Sequence, residues 1–265
     1  MRKFFQRFYM AFVFLFLFLP IAYLIFFSFN DGKSRVIFNG FTLKNYVNLF
    51  RDEAIMQALV NTLIIALIAS VVSTILGTAA ALGIQRLRRW QRNVVMNVSY
   101  IPVLNPDIIT GVSLMLFFAA LGFKLGYGTV LLAHITFDTP YVILSILPKL
   151  RQVDYSIYEA AEDLGAPPSI AFRKAMLPQI MPGVISGFLM ALTLSVDDFV
   201  VTFFLRGVEV ETLATMIYTN TKQRIPMTIN ALCGVMVVVI TIILIIANLP
   251  QFRRGPGKKK EEKRI

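Results

Sequence analysis

One cysteine, Cys233, and one histidine, His134, are all that this chain has of the residues that most often hold metals or form cross-links. A single cysteine forms no internal disulfide, and neither a C-x2-C pair nor an H-E-x-x-H helix can be built. Both residues read most simply as packing positions, although His134 can also line a path or bond a neighbouring helix. Charged residues are scarce, at 15%. No G-x-x-x-x-G-K-[ST] run is present, so the chain cannot cradle nucleotide phosphates on its own. No nucleophile–base constellation stands out either, which argues against an enzyme. No repeat at a fixed period and no stretch long enough for a soluble domain appear.

What is present is apolar. Hydrophobic residues make up 57% of 265, too many for an ordinary soluble domain and typical of a polytopic membrane protein. Crossing a bilayer takes roughly 20 predominantly apolar residues. Six candidate spans meet this: Phe8–Phe29, Asn61–Ile84, Val94–Leu121, Gly128–Leu147, Gln179–Leu205 and Thr228–Leu249. The first has basic residues before it, as a signal peptide does. Its apolar run outlasts the roughly 7–15 residues of a signal h-region, so it reads as a retained span, kinked or loosened near Pro20. The fold class expected is all-α, a six-helix membrane bundle over residues 1–252 with a charged, disordered tail at 253–265.

Lys and Arg orient the bundle. With the N-terminus inside, 18 of the 26 basic residues fall in inside segments and 8 in outside ones. Both termini and the loop at about 149–178 are then cytoplasmic. The net charge of +11 needs no nucleic acid, because basic flanks fix topology and meet anionic membrane lipid.

That loop, continued to Pro182, reads RQVDYSIYEAAEDLGAPPSIAFRKAMLPQIMP. Val153, Ile157, Ala160/Ala161 and Leu164 recur at helical spacing. Gly165 stands where a helix C-cap belongs, Pro167–Pro168 forbid continuation, and Ser169 can cap a second short helix through Leu177. Lys149–Pro178 holds four basic and four acidic residues. Helices lying on anionic lipid are usually basic, so a protein partner suits this interval better. A plain connector between two spans remains the other reading.

Within the spans, Ser73, Gly77 and Ala81 recur every four residues, and Gly183 with Gly187 forms G-x-x-x-G. Such faces let helices approach closely, either between subunits or inside the bundle. Asp107, Asp138, Asp197 and Asp198 also lie within spans, while no Lys or Arg lies well inside any of them. An aspartate at a helix centre costs about 2.5–3.5 kcal/mol on insertion scales. These must face a wet path or a partner, or hold protons. On a continuous helix Ser195, Asp198 and Thr202 share one stripe, which turns Asp198 to the path and Asp197, with Thr193, to a helix interface. Pro102 and Pro106 are expected to break the third span beside Asp107, and Pro140 to kink the fourth beside Asp138. Capping of broken helices, or bonds to neighbouring hydroxyls, is the alternative role for these aspartates. Unpaired carboxylates in a pore suit a cationic substrate or a coupling cation.

Glu159-Ala160-Ala161, Gly165 and Leu177-Pro178 resemble, in type and spacing, the EAA motif of permease subunits of ABC importers, with Ala175 where that family usually has Ile. More widely, Gly40-Phe41-Thr42 with Tyr46, Asn105–Ile108, Leu131–Phe137, Leu194–Asp198 and Asn230–Leu232 are similar to the second permease of spermidine/putrescine importers. Asp138 departs from that group's pattern, where its segment is uncharged. The resemblance implies a type I ABC importer permease fold. It implies that Val153–Leu164, with Glu159, Ala160, Ala161 and Gly165, is a coupling helix seated on a cytoplasmic ATPase dimer. It implies a second permease subunit and an extracytoplasmic polyamine-binding protein as partners, in the inner membrane of a bacterium. ATP and Mg would sit on the ATPase, with no cofactor or metal on this chain. Asp198, Asp197, Ser195, Asp107, Asp138 and Thr202 are the expected pathway residues. A permease for another small cationic or organic solute, and a proton- or sodium-coupled carrier using the same aspartates, are the competing readings.

Overall fold

The computed structural model describes residues 2–32, 34, 36–221 and 227–253. Residues of the expected tail beyond Arg253 lie outside them, as do Lys222 and Arg224. Among the described residues the chain is helical, with a single isolated bridge between Asn30 and Phe41. Two compact units emerge, Met1–Glu53 with Asn220–Ile265, and Ala54–Thr219.

The first unit holds α1 (Arg2–Ser28), α2 (Lys44–Arg51) and α12 (Met227–Arg253), with α12 packed on the other two. A tight polar corner ends α1. Asn30 accepts from Asn39 N at 2.8 Å and donates to the carbonyls of Ser34 and Ile37. Asn45 donates to the carbonyls of Ser28 and Asn30, and the hydroxyls of Ser28 and Tyr46 meet at 2.7 Å. Gly40-Phe41-Thr42 closes the corner: Asp31 N bonds Gly40 O, Thr42 N bonds Phe29 O, and the Phe29 and Phe41 rings stack at 5.1 Å.

The second unit runs α3 (Glu53–Arg86), α4 (Arg89–Leu104), α5 (Asp107–Ala120), α6 (Tyr127–Leu150), α7 (Tyr155–Asp163), α8 (Pro168–Ala171), a π-helical turn (Phe172–Met176), α9 (Leu177–Asp197), α10 (Val200–Leu205) and α11 (Leu213–Thr221). Its centre is α6, packed along α9. The small-residue faces are used here, inside the chain. A Cβ added at Gly77 of α3 would stand 2.6 Å from Val142 Cγ1, and one at Gly187 of α9 would stand 3.1 Å from the same atom. Val142 is thus held between two glycines, and α3, α6 and α9 close on one another around it. A buried cluster of Ala81, Ile84, Ile146, Leu150, Met176 and Ile180 continues that contact.

Six spans are expected from the sequence. Among the described residues four helices are long and apolar enough: Phe5–Ser28, α3, α6 and the run Pro168–Asp197. The expected third span is the bent pair α4 and α5, which turn by 104° at Asn105–Pro106. Pro102 stays inside α4. It is Pro106 that breaks the chain, because a proline pushes the residue before it out of the helical region. Asn105 takes up the extended ψ of 140°. With 14 residues, α5 is about 21 Å long, short of the roughly 30 Å hydrocarbon core. The sixth expected span falls in α12, whose described side chains carry an apolar helix over Met227–Val238.

α1 and α6 run on as helix through Pro20 and Pro140, where kinks are expected. Other expectations are corrected. Ser169 caps nothing: Pro167 is the N-cap and Pro168 takes the first turn, where its missing N–H is no loss. The second loop helix does not end at Leu177 but continues into α9. The fifth span is not one helix to Leu205, because it breaks at Asp198.

Candidate functional site

The break at Asp198 is built from four side chains. Asp198 leaves α9 with an extended ψ of 122°. Its carboxylate accepts from Val201 N at 3.2 Å, Thr202 N at 2.8 Å and the Thr202 hydroxyl at 2.7 Å. It therefore caps the orphan N–H groups at the start of α10. From α6, His134 reaches across. Its Nδ1 lies 2.5 Å from Ser195 Oγ, and its Nε2 lies 3.0 Å from Thr202 Oγ1 and 3.5 Å from Asp198 Oδ2.

Counting protons orders this chain of bonds. The Thr202 hydroxyl gives its one proton to Asp198, so it accepts from His134 Nε2–H. In the neutral ring Nδ1 is then an acceptor, and the Ser195 hydroxyl donates to it. Ser195, His134 and Thr202 are each 3% exposed or less, so the network is closed to bulk water. One helix end and two helices are tied together by bonds that leave no donor among them unused.

Beside this junction is a cleft of about 300 Å³, walled by Asp107, Asp197 and Asp198 with the rings of Phe137, Tyr141 and Phe199. No Lys or Arg lines it. Both broken spans open onto it, one through Asp107 in the first turn of α5, the other through Asp197 and Asp198. Both neighbouring carboxylates reach the cleft, and Asp197 does not lie at the helix interface expected for it. Asp197 is exposed at the cleft, while Asp198, whose side chain is 8% exposed, is bound into the helix junction along one wall. The helix ends at Asp198, yet Ser195, Asp198 and Thr202 still come together, joined through His134 across the break. Asp138 does not line the cleft. It is fully buried in α6, and neither carboxylate oxygen has a hydrogen-bond partner among the described residues.

The structure unites Asp198, Ser195 and Thr202 in one network and Asp107, Asp197 and Asp198 in one cleft, and leaves Asp138 apart. His134 is the member of the site that the sequence left as a packing residue. Its partners are 61 and 68 positions away, and no local pattern announces them.

The second candidate surface is the polar loop. Asp154 caps α7, accepting from Ser156 N at 3.0 Å and from the Ser156 hydroxyl at 2.7 Å. That side-chain bond, then the backbone one, holds the exposed carboxyl below the ordinary carboxylate range. Glu162, one turn beyond Tyr158, accepts its hydroxyl proton and raises the phenol. At the far end Gly165 adopts a φ of 85°. Gly165 N bonds Glu162 O at 2.8 Å and Ala166 N bonds Ala161 O at 3.0 Å, the paired bonds of a Schellman turn. Glu159, Ala160, Ile157 and Leu164 are exposed, Leu164 at 89%. Ala161 is half-buried. Val153 lies before the helix, and it packs with Tyr158 against the buried cluster of α6 and α9. The expected single face is thus divided: Val153 anchors the loop, and Ile157, Ala160 and Leu164 present outward.

Comparison with known proteins agrees with this architecture. Residues 73–252 match the family described as binding-protein-dependent transport system inner membrane component. The chain is 35% identical to the spermidine/putrescine transport system permease protein PotC of Haemophilus influenzae, over 94% of this chain and 96% of that one. It is 39% identical to the putrescine transport system permease protein PotI of Escherichia coli, over 88% and 86%. Among solved structures, a chain of a bacterial ABC transporter that imports the acidic polysaccharide alginate aligns with a TM-score of 0.69 at 16% identity, covering 97% of this chain and 98% of that chain. That likeness concerns the fold alone. The chain belongs to the inner membrane components of binding-protein-dependent transport systems, with the permease fold of type I ABC importers.

Proposed function

We propose that this chain is one permease subunit of a polyamine importer and that its acidic cleft is the chain's share of the pathway. The observation that carries the reading is the composition of that cleft. Three carboxylates and three aromatic rings face about 300 Å³ with no basic residue among them. A linear, multiply charged amine asks for such a lining, with carboxylates to pair its ammonium groups and aromatic faces to hold cation and methylene chain together. The names of the permeases quoted above point the same way. Asp197 and Asp107, open to the cleft, are the contacts; Asp198, Ser195 and Thr202 with His134 fix the wall. An uncharged solute would leave these carboxylates without a partner, so the cleft favours a cation.

The outward residues Ile157, Ala160 and Leu164, with Glu159 and the turn at Gly165, form the surface for a cytoplasmic ATPase dimer. ATP and Mg belong to that partner. A second permease subunit completes the pathway, and an extracytoplasmic binding protein delivers the amine. The bias of basic residues supports a cytoplasmic position for this loop and both termini.

The test is uptake of radiolabelled spermidine and putrescine by cells carrying the chain with its partner subunits, beside ATP hydrolysis by the purified complex. Asp107→Asn with Asp197→Asn is expected to lower uptake by about tenfold or more, the equivalent of one ion pair, with the complex still assembled. Glu159→Ala is expected to uncouple hydrolysis from uptake. Undiminished amine uptake in the double carboxylate variant removes the proposed pathway, and uptake that follows a proton gradient without ATP removes the importer.

A further inference from the structure

Asp138 is wholly buried at 0% exposure, and both its oxygens lack a hydrogen-bond partner among the described residues. It sits 11 positions into the 24-residue α6, near the middle of a span, where an ionisable group needs a stated partner. The surrounding elements supply none. On α6 itself, His134 has both ring nitrogens engaged with Ser195 and Thr202. Lys149 is about 16 Å further along the helix. On the packed face of α3, Ser70, Ser73 and Thr74 donate their hydroxyl protons to the carbonyls of Leu67, Ile135 and Ser70. On α9, Gly187, which meets Val142 one turn along α6, and Ser195, which bonds His134 one turn the other way, carry no charge. The charged groups of the adjoining cleft, Asp198, Asp197 and Asp107, are all of the same sign.

The helix places this carboxyl just behind the cleft wall. Phe137 and Tyr141 of α6 line the cleft. At about 100° per residue, Asp138 lies about 100° around α6 from Phe137 and about 60° from Tyr141. Along the axis it is about 6 Å, one turn, from His134, which touches Asp198.

We propose that Asp138 is a second, occluded carboxylate subsite for cargo. It takes an ammonium group of the amine when the contact between α6 and α9 loosens and this face of α6 joins the cleft. The proposal rests on the polyamine reading and adds what that reading lacks, a basis for choosing by number of charges. A diamine pairs its two ammonium groups at the first tier of Asp107 and Asp197. A longer cargo with further ammonium groups can reach the second tier as well, so Asp138 sets the preference for the longer amine.

Two measurements test this. In the first, spermidine and putrescine compete for uptake through the complete transporter carrying Asp138→Asn, which keeps shape and removes charge. Spermidine uptake is expected to fall about tenfold more than putrescine uptake; an unchanged ratio overturns the proposal. In the second, Asp138→Cys is made in a Cys233→Ser background and treated with positively and negatively charged methanethiosulfonates. Reaction is expected to be slow at rest, to quicken during ATP turnover, and to favour the cationic reagent several-fold. A thiol that stays unreactive during turnover, or reacts equally with both reagents, overturns the proposal. Failure of the wild-type transporter to take up either amine would sink the polyamine reading instead. The thiol measurement uses no amine cargo and still decides whether cations reach Asp138.

Discussion

The turn at Gly165 and the junction at Asp198 both end helices, and the two are built in opposite ways. At Gly165 every bond is local: Gly165 to Glu162, Ala166 to Ala161, and Asp154 to Ser156 at the other end. The side chains it presents, such as Leu164, are left exposed. At Asp198 the carboxylate also caps locally, but the ring that locks it arrives from α6. There the side chains are buried and their hydrogen bonds satisfied. A local turn keeps its shape while its surroundings change, which suits a surface that must meet a partner. A network drawn from separate elements holds those elements to one arrangement, which suits a wall.

That contrast can be broken from either side. The largest effect is expected for His134→Leu. It leaves the Ser195 hydroxyl without its partner and the bulk of the ring's packing lost, while Thr202 keeps Asp198; the orphaned hydroxyl alone costs about 1–3 kcal/mol. The purified complex should melt markedly lower, and His134→Gln, which can still donate and accept, should recover part of the loss. Next is Gly165→Val. A β-branched residue at a φ of 85° costs about 1–3 kcal/mol of backbone strain. Amine uptake should fall sharply while the melting temperature changes less than in His134→Leu, a split that an equal fall in both would contradict. Ser195→Ala leaves the buried Nδ1 of His134 without its donor while keeping the ring in place, and should lower stability by about 1–3 kcal/mol, read by the same melting measurement.

The smallest effect concerns Asp154. Its folded carboxyl lies below its ordinary value of 3.8 because the Ser156 side chain and N–H bond the charged form. A depressed value means that the cap is fully present above 3.8 and is lost as pH falls through the lower folded value. Hydrogen exchange of the α7 amides, compared with Asp154→Asn, should converge with decreasing pH only in the parent. Identical pH profiles would show that Asp154 does not hold the helix start.

The same contrast explains what could be read from the sequence. The α7 turn was legible because glycine, prolines and helical spacing are all within one short run, and the Schellman bonds follow from the glycine. The break before Asp107 was legible for the same reason, since Pro106 announces it. The break at Asp198 carries neither glycine nor proline. Leu194–Val200 reads as uninterrupted helix, and the one available signal was an aspartate three and four residues before Val201 and Thr202, a spacing suited to a cap. For His134 the sequence offered packing, a path or a bond to a neighbouring helix and could not choose, because the choice depends on how α6 lies against α9. Val153 was misassigned for a related reason: helical spacing includes it in the exposed face, but the chain before Asp154 has not yet turned into the helix.

The run from Pro168 to Asp197 has 30 residues and joins these two regions end to end. At 1.5 Å per residue it is about 45 Å long. Seen as a lever, a tilt of about 5° about one end carries the other end by about 4 Å. Near its Pro168 end the rod carries the π-helical turn Phe172–Met176, where Leu177 N–H bonds back to Phe172 O, and Pro182 follows inside α9. Displacement imposed at that end is partly absorbed as bending at these two places before it reaches the cap of Asp198.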